Sequence, residues 1–157
     1  MTSVNDFPGS ADPAGGTQAQ GFHGDHIAGL LGLALRRLRL EILVDSEARF
    51  PGLRISHYRL LDMIPAEGAR ITDLAEAAGM TKQGLGQHVD YLQDLGFTES
   101  DRLAEDRRVR LVRRTGKGDE AVAFSREAIG RLEADWAAQL GPQRYDEFRR
   151  TLAELGV

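Results

Sequence analysis

The stretch MTKQGLGQHVDYLQDLGF, residues 80–97, decides the fold of this chain. Its apolar residues recur at the spacing of one helix face: Leu85, Val89, Leu92 and Leu95. Thr81 is a favourable N-cap, and Gly96 can adopt the left-handed conformation that often ends a helix. The pattern therefore predicts an amphipathic helix that runs from Thr81 to about Leu95.

A second short helix is predicted directly before this one. It would begin at Thr72 and stop at Gly79, so that a tight turn separates two helices in a helix-turn-helix arrangement. The later helix carries Gln83 and Gln87 on its polar face, and glutamine can pair with adenine through two hydrogen bonds. Lys82, at the helix N-terminus, would attract phosphate. The pattern indicates a DNA-reading helix; the alternative is an ordinary amphipathic helix with a solvated polar face.

A basic hairpin is predicted immediately after the helix pair. Residues 97–102 and 109–114 have the pattern of two strands, and the residues between them, LAEDRR, form a charged tip. Between Arg102 and Lys117, seven basic and two acidic residues give a local charge of +5, although the whole chain carries −4. A basic hairpin after a helix-turn-helix is typical of a winged helix, and arginines at its tip suit a minor groove. The alternative is an arginine-rich hairpin that only faces solvent.

The rest of the chain is predicted to be a tail followed by helices. Residues 1–24 are rich in Gly, Pro, Ala, Asp and Gln without periodicity, so we expect a disordered tail. Asp25 would cap a helix that extends to about Ala48 and is apolar on most sides. Such a helix needs more than one partner surface, which favours a dimer interface beside the core. Further helix starts are predicted at Ser56, Thr115 and Pro142.

Composition narrows the classes of protein that fit. The chain has 157 residues, of which 41% are apolar, so one domain with a hydrophobic core is expected. It has no cysteine, which excludes disulfides, thiolate catalysis and cysteine-based zinc sites. No apolar run reaches the roughly 20 residues of a membrane helix, and the first residues lack the pattern of a secretory signal. We therefore expect a cytoplasmic protein.

Catalytic and metal sites are not indicated by the sequence. There is no nucleophile paired with a base, no phosphate-binding glycine loop and no supported carboxylate pair, so the chain is not predicted to be an enzyme or to hold a cofactor. The segment HGDH, residues 23–26, could supply half of a metal site. Because flexible sequence precedes it and no cysteine could complete it, no bound metal is expected.

The run GMTKQGLGQHVDYLQDLGFTESDRLAEDRRVRLVRRTGKG, residues 79–118, resembles the DNA-binding core of the MarR family of transcriptional regulators. The wing of that family typically has Asp-x-Arg, then apolar strand residues, then a Thr and a Gly that open the next helix. Asp106, Arg108, Thr115 and Gly118 match this pattern. The similarity extends over roughly residues 26–157. It implies a mainly α fold: a winged helix-turn-helix with one β-hairpin wing and long terminal dimerisation helices.

The resemblance also implies an organisation and a function. Residues 25–157 would form a single domain, in which residues 55–118 make the DNA-binding lobe and residues 25–49 and 119–157 make the dimerisation lobe. The expected function is sequence-specific transcriptional regulation, most often repression in this family, by a homodimer on a pseudo-palindromic double-stranded operator. A dimeric winged-helix module that binds a protein partner, without a specific DNA site, is the alternative.

Site residues can be carried over by position. DNA contacts are implied for the start of the recognition helix and for the wing: Thr81, Lys82, Gln83, Gly86, Gln87, Arg102, Asp106, Arg107, Arg108 and Arg110. In this scheme Arg108 enters the minor groove and Asp106 holds its guanidinium. Family members often bind a small aromatic or anionic ligand between the two lobes. Candidate lining residues here are Arg54, His57, Tyr58, Met63 and Trp136, with core packing as the alternative role for most of them.

Two departures from the family pattern stand out. Gly84 and Gly86 occupy positions where the family more often has Ala, Ser or a larger residue, and Arg114 stands where Leu is usual. A glycine inside a helix costs about 1 kcal/mol relative to alanine, so the pair weakens the helix. As a hypothesis, Gly86 lets the backbone come close to DNA, and Gly84 permits a close approach of the preceding helix. The alternative is simple tolerance of a poor helix former.

Overall fold

The computed structural model describes residues 26–102 and 109–156, and it confirms a mainly helical fold with a small antiparallel sheet. Its helices are α1 (Ile27–Leu43), α2 (Ser46–Arg49), α3 (Ile55–Met63), α4 (Ile71–Ala77), α5 (Lys82–Asp94), α6 (Gly116–Leu140) and α7 (Pro142–Leu155). Its strands are β1 (Ala69–Arg70), β2 (Thr98–Arg102) and β3 (Arg110–Arg114). In the part of the chain that the structure describes, no helix is long and apolar enough to cross a membrane.

The sheet has the order β1-β3-β2, so β3 is its central strand. The predicted hairpin is present: β2 and β3 pair antiparallel, with Ser100 opposite Val112 and Arg102 opposite Arg110. The pair β1–β3 adds Ala69 opposite Val112 on the other side. The sequence did not reveal β1 because two residues are too few to show the alternation of a strand.

Five of the predicted helix boundaries are confirmed, and one of them is the start of α7 at Pro142. Thr81 caps α5 by accepting a hydrogen bond from the backbone amide of Gly84 at 3.1 Å, and Thr115 caps α6 in the same way at 3.2 Å. Gly79 and Gly96 follow the ends of α4 and α5 with φ of +64° and +77°. These signals depend only on neighbouring residues, which is why the sequence shows them.

Three predicted N-caps were wrong. The helix expected to start at Ser56 begins one residue earlier, at Ile55, and the Nδ1 atom of His57 accepts the backbone amide of Arg54 at 3.1 Å. The helix expected to start at Thr72 begins at Ile71. At α3 the histidine of the first turn supplies the capping bond, and at α4 the buried Ile71, just before the predicted cap, already belongs to the helix. At α1 the cap is His26, whose Nδ1 accepts from the amide of Gly29, while Asp25 lies outside the described residues.

The first helix is shorter than predicted. It ends at Leu43 instead of about Ala48, and a separate four-residue helix, α2, follows. Asp45 sits between them with φ of 61°, a left-handed conformation that no helix interior contains. The break turns Ser46 inward, where its hydroxyl lies 2.7 Å from the buried Tyr58 hydroxyl.

Aromatic rings join the helices in the core. Phe50 meets Phe97 edge to face, with centroids 6.1 Å apart, and meets Phe124 at 5.5 Å. All three rings are buried, and such pairs stabilise beyond the area that they bury. Since Phe97 follows α5 and Phe124 belongs to α6, the cluster fixes the two helices to the segment after α2.

A tight junction joins the end of α5 to the start of α6. The carbonyl of Phe97 accepts the amide of Thr115 at 3.1 Å, and the Thr115 hydroxyl donates to the carbonyl of Gly96 at 2.6 Å. The ammonium of Lys117 donates to the carbonyl of Leu95 at 2.8 Å and lies 4.2 Å from the centroid of the Phe97 ring. A Cβ atom on Gly118 would overlap the backbone carbonyl oxygen of Phe97, so this position requires glycine.

We predict that Gly118→Ala destabilises the fold. The new methyl group meets backbone that cannot rotate away, so the two helix ends must separate, at a cost of about 2 kcal/mol or more. Gly116→Ala, two residues earlier in the same turn, is the matched control because its Cβ would meet nothing within 4 Å. Chemical denaturation of both variants measures the difference; equal midpoints would contradict the assignment.

Candidate nucleic-acid interface

The first two turns of α5 present a polar surface. Leu85, Val89 and Leu92 are completely buried, so the opposite face points outward. Thr81, Lys82, Gln83 and Gln87 are exposed there, and the Thr81 cap leaves the other first-turn amides of the helix directed outward. The structure thus brings these four predicted residues together at a helix N-terminus, which favours anions and can donate hydrogen bonds.

The two glycines of α5 differ in their surroundings. A Cβ on Gly84 would lie 3.1 Å from the capping Thr81 hydroxyl and 3.7 Å from the Met80 methyl group. A Cβ on Gly86 would make one ordinary contact, 4.0 Å from the end of the Ile71 side chain. Gly86, and not Gly84, is therefore the glycine beside the preceding helix α4, and that helix would tolerate a methyl group there.

The inner face of β3 alternates two arginines with a buried valine. Val112 is completely buried between Arg110 and Arg114. Arg110 reaches α5, where its Nη1 lies 2.7 Å from a carboxylate oxygen of Asp90. Its Nη2 donates to the Ser100 hydroxyl at 2.9 Å, and that hydroxyl donates to Gln93 at 2.8 Å. Arg110, predicted from sequence to contact DNA, is thus engaged with α5.

Other basic residues of the wing region also have partners within the chain. Arg113 lies 3.2 Å from Asp101 across the hairpin, and Arg114 contacts Asp119 at 2.6 Å. Lys117 belongs to the junction described above. The charge of +5 that was counted from the sequence between Arg102 and Lys117 therefore overstates the charge available to a binding partner. Arg102 is exposed at the end of β2, while the predicted contacts Asp106, Arg107 and Arg108 lie outside the described residues.

His57 of α3 packs against two aromatic rings of α5. The buried His57 ring lies 5.0 Å from the Tyr91 ring and 5.7 Å from the His88 ring, both on α5. The Tyr91 hydroxyl donates to the carbonyl of Gly52 at 2.9 Å. Burial, together with the smaller effects of the nearby His88 and Arg54 charges, lowers the pKa of His57 to about 4. His57 is therefore neutral at physiological pH.

A cavity of about 250 Å³ lies between α3 and the helix-turn-helix. It is mainly apolar, with Arg59, Ser56 and His88 as its polar groups. The complete lining is Ile55, Ser56, Arg59, Leu60, Met63, Ala78, Met80 and His88. The α3 side of the cavity includes three residues at four-residue intervals, Ile55, Arg59 and Met63. Residues at this spacing share one face of a helix, so the sequence could have identified the face of α3 that lines the cavity.

Of the five candidate ligand-lining residues, the structure places Met63 at this cavity. His57 and Tyr58 are buried in packing contacts, and Arg54 precedes α3 with an exposed side chain. Trp136 packs against Phe148 of α7, with ring centroids 6.5 Å apart. Among residues 26–102 and 109–156, no three His, Asp or Glu side chains are arranged to hold a metal ion.

Comparison with known proteins identifies the fold. No family model matches the sequence. The repressor CouR bound to a 23-mer DNA duplex is similar at 21% identity and TM-score 0.70, covering 85% of this chain and 94% of CouR. MarR is similar at 21% identity and TM-score 0.70, covering 85% of this chain and 90% of MarR. Streptococcus pneumoniae FabT in complex with DNA is similar at 17% identity and TM-score 0.70, covering 80% of this chain and 89% of FabT. CouR from Rhodococcus jostii has also been solved with p-coumaroyl-CoA, at 19% identity and TM-score 0.64.

These likenesses show that the chain has the winged-helix fold of the MarR-family regulators over most of its length. They confirm, for the fold, the resemblance drawn from residues 79–118. The predicted recognition helix corresponds to α5 and the predicted wing to the β2–β3 hairpin.

The low pKa of His57 predicts acid sensitivity. In the unfolded chain His57 binds a proton near pH 6.5, whereas in the fold it does so near pH 4. The unfolded state therefore gains protons first, and the free energy of unfolding should fall as pH decreases from about 6.5 to 4. Denaturation at several pH values measures this slope, with His57→Asn as the control. The prediction fails if wild type and variant lose stability equally over that range.

Gly86→Ala should separate stability from DNA binding. Alanine fits beside Ile71 and favours the helix, so the free energy of unfolding should rise by up to about 1 kcal/mol. If the backbone at Gly86 approaches DNA, affinity should fall by about tenfold, equivalent to about 1.4 kcal/mol. Gly84→Ala is the comparison, since its methyl group meets the Thr81 cap. Denaturation and DNA titration of both variants test this; a Gly86→Ala protein that binds DNA more tightly contradicts it.

Proposed function

We propose that this chain, which has the fold of the MarR-family regulators, is a sequence-specific DNA-binding transcriptional repressor that acts in the cytoplasm. The observation that carries the proposal is the exposed start of α5, where Thr81, Lys82, Gln83 and Gln87 stand above a buried stripe. Glutamines at this position can reach base edges in the major groove, while Lys82 and the helix N-terminus bind phosphate. Similar structures in complex with DNA support the same assignment.

The wing completes the proposed interface. Arg102 lies at the end of β2 on the side of the hairpin tip. By the family resemblance, Arg107 and Arg108 contact the minor groove and Asp106 orients Arg108. The DNA-binding lobe of this proposal comprises residues 55–118, flanked by helical segments 25–49 and 119–157 that form the dimerisation lobe.

Helix α1 supports a homodimer. Ile42 is its one buried residue, while Leu33 and Leu35 are more than half exposed. Other large apolar side chains open to solvent on α1 and on α7 are Ile27, Leu30, Leu31, Leu40, Leu43, Leu152 and Leu155. A single chain leaves this surface uncovered, and a second copy would bury it. Two recognition helices related by a two-fold axis would read a pseudo-palindromic operator, with half-sites about 34 Å apart.

The cavity beside α3 supports control by a small ligand. Its volume of about 250 Å³ suits a single aromatic ring, and Arg59 could pair with an anionic group. Because α3, the turn at Met80 and α5 all line the cavity, a ligand there would favour one spacing of the DNA-binding lobes in the dimer over another. The structure of CouR with p-coumaroyl-CoA supports a ligand of aromatic character.

The test is DNA binding across a salt series. An operator is first obtained by selection from random DNA, then titrated by fluorescence anisotropy beside a scrambled duplex and a single half-site. We expect tight binding to the full operator alone, with log affinity falling by about 0.9 per log salt for each neutralised phosphate. Simple aromatic carboxylates added to the complex should release DNA. Failure to select any sequence would instead favour the alternative, a winged-helix module for a protein partner.

A further inference from the structure

The side chain of Arg114 joins three elements of the fold. It is the last residue of β3, and its side chain is only 13% exposed. Its Nη1 donates to the carbonyls of Leu61, at 3.1 Å, and of Ile64. Its Nε donates to a carboxylate oxygen of Asp119, in the first turn of α6, at 2.6 Å. One guanidinium therefore links the strand of the wing to the ends of two helices.

The contact with α3 supplies what that helix lacks. The last carbonyls of a helix have no partner within it, and they carry the negative end of the helix dipole. The last turn of α3 contains no basic residue of its own. Arg114 provides the missing cation, and a donor for the Ile64 carbonyl, from a position 50 residues further along the chain. A planar guanidinium can do this while it pairs with Asp119, which an ammonium group cannot match.

Arg114 fixes one end of β3, and Arg110 fixes the other. Arg110 is paired with Asp90 on α5, and the buried Val112 lies between the two arginines. The central strand of the sheet is thus held to the recognition helix at one end and to α3 and α6 at the other. The direction in which the wing leaves the helices is set before any partner binds.

We propose that Arg114 is a positioning residue for DNA binding, which holds the wing at a fixed angle to the recognition helix without contacting DNA itself. This rests on the proposed function. A protein that engages adjacent grooves must present both elements at once, and ordering a loose wing on binding reduces affinity. Removal of Arg114 should therefore weaken the contacts of the wing and leave base reading by α5 intact.

The test compares Arg114→Leu with Arg126→Leu. Arg126 also bridges α6 to α3, through Asp62 at 2.7 Å, but it lies away from the wing. For Arg114→Leu we expect about tenfold weaker operator binding at low salt and a salt slope reduced by about one unit, equivalent to one lost phosphate contact. Base preference within the recognition-helix half-site should not change. Arg126→Leu should keep the wild-type slope, and Arg114→Lys should recover part of the lost affinity.

Stability and function are separated within the same experiment. Thermal unfolding of each variant defines a temperature at which all are folded, and binding is measured there. An Arg114→Leu protein that is folded and keeps the wild-type slope overturns the proposal, as does an equal loss in Arg126→Leu. If wild type itself shows no salt-dependent binding to any selected DNA, the proposed function fails, and the role of Arg114 in DNA binding fails with it.

Discussion

The junction between the end of α5 and the start of α6 is the constraint on which the rest of the structure depends. Two helix ends meet there with no side chain between them, because Gly118 lies against the carbonyl of Phe97. The Thr115 hydroxyl both caps α6 and donates to the carbonyl of Gly96, which follows α5. The Phe97 ring on the other side enters the aromatic core. The position of α5 relative to the long helix α6 is therefore determined by backbone contacts, which permit little adjustment.

The wing is attached by charged side chains in a different way. Arginines on the inner face of β3 reach helices on both sides of a buried valine, so the hairpin is oriented by ion pairs and helix capping. Such contacts have strict geometric requirements and cover little apolar area. Helix α5 is thus held by backbone contacts at its end and by core packing, whereas the hairpin is held by directional bonds, so substitutions can affect the two separately.

The sequence was sufficient for the elements whose signals are local. The caps Thr81 and Thr115, the terminators Gly79 and Gly96, and the hairpin all follow from residue type and spacing. It was insufficient where the deciding contact comes from another element, as it does for Arg110, whose partner Asp90 is on α5. It also missed the start of α3, because His57 is not among the residues that usually cap a helix. The exposed face of α5 follows from periodicity, whereas the cavity needed α3 and the turn at Met80 to be brought together. The roles of the wing-tip residues stay predictions.

The internal pairing of the described basic side chains has a consequence for electrostatic attraction. Attraction to DNA of arbitrary sequence comes mainly from cations that are free to replace counterions. In the described part of the hairpin and the start of α6, Arg110, Arg113, Arg114 and Lys117 have contacts within the chain, and the chain as a whole is acidic. In a DNA-binding protein, cations that are already paired within the chain release fewer counterions, so these four residues would contribute less to binding of arbitrary sequence than a count of basic residues indicates.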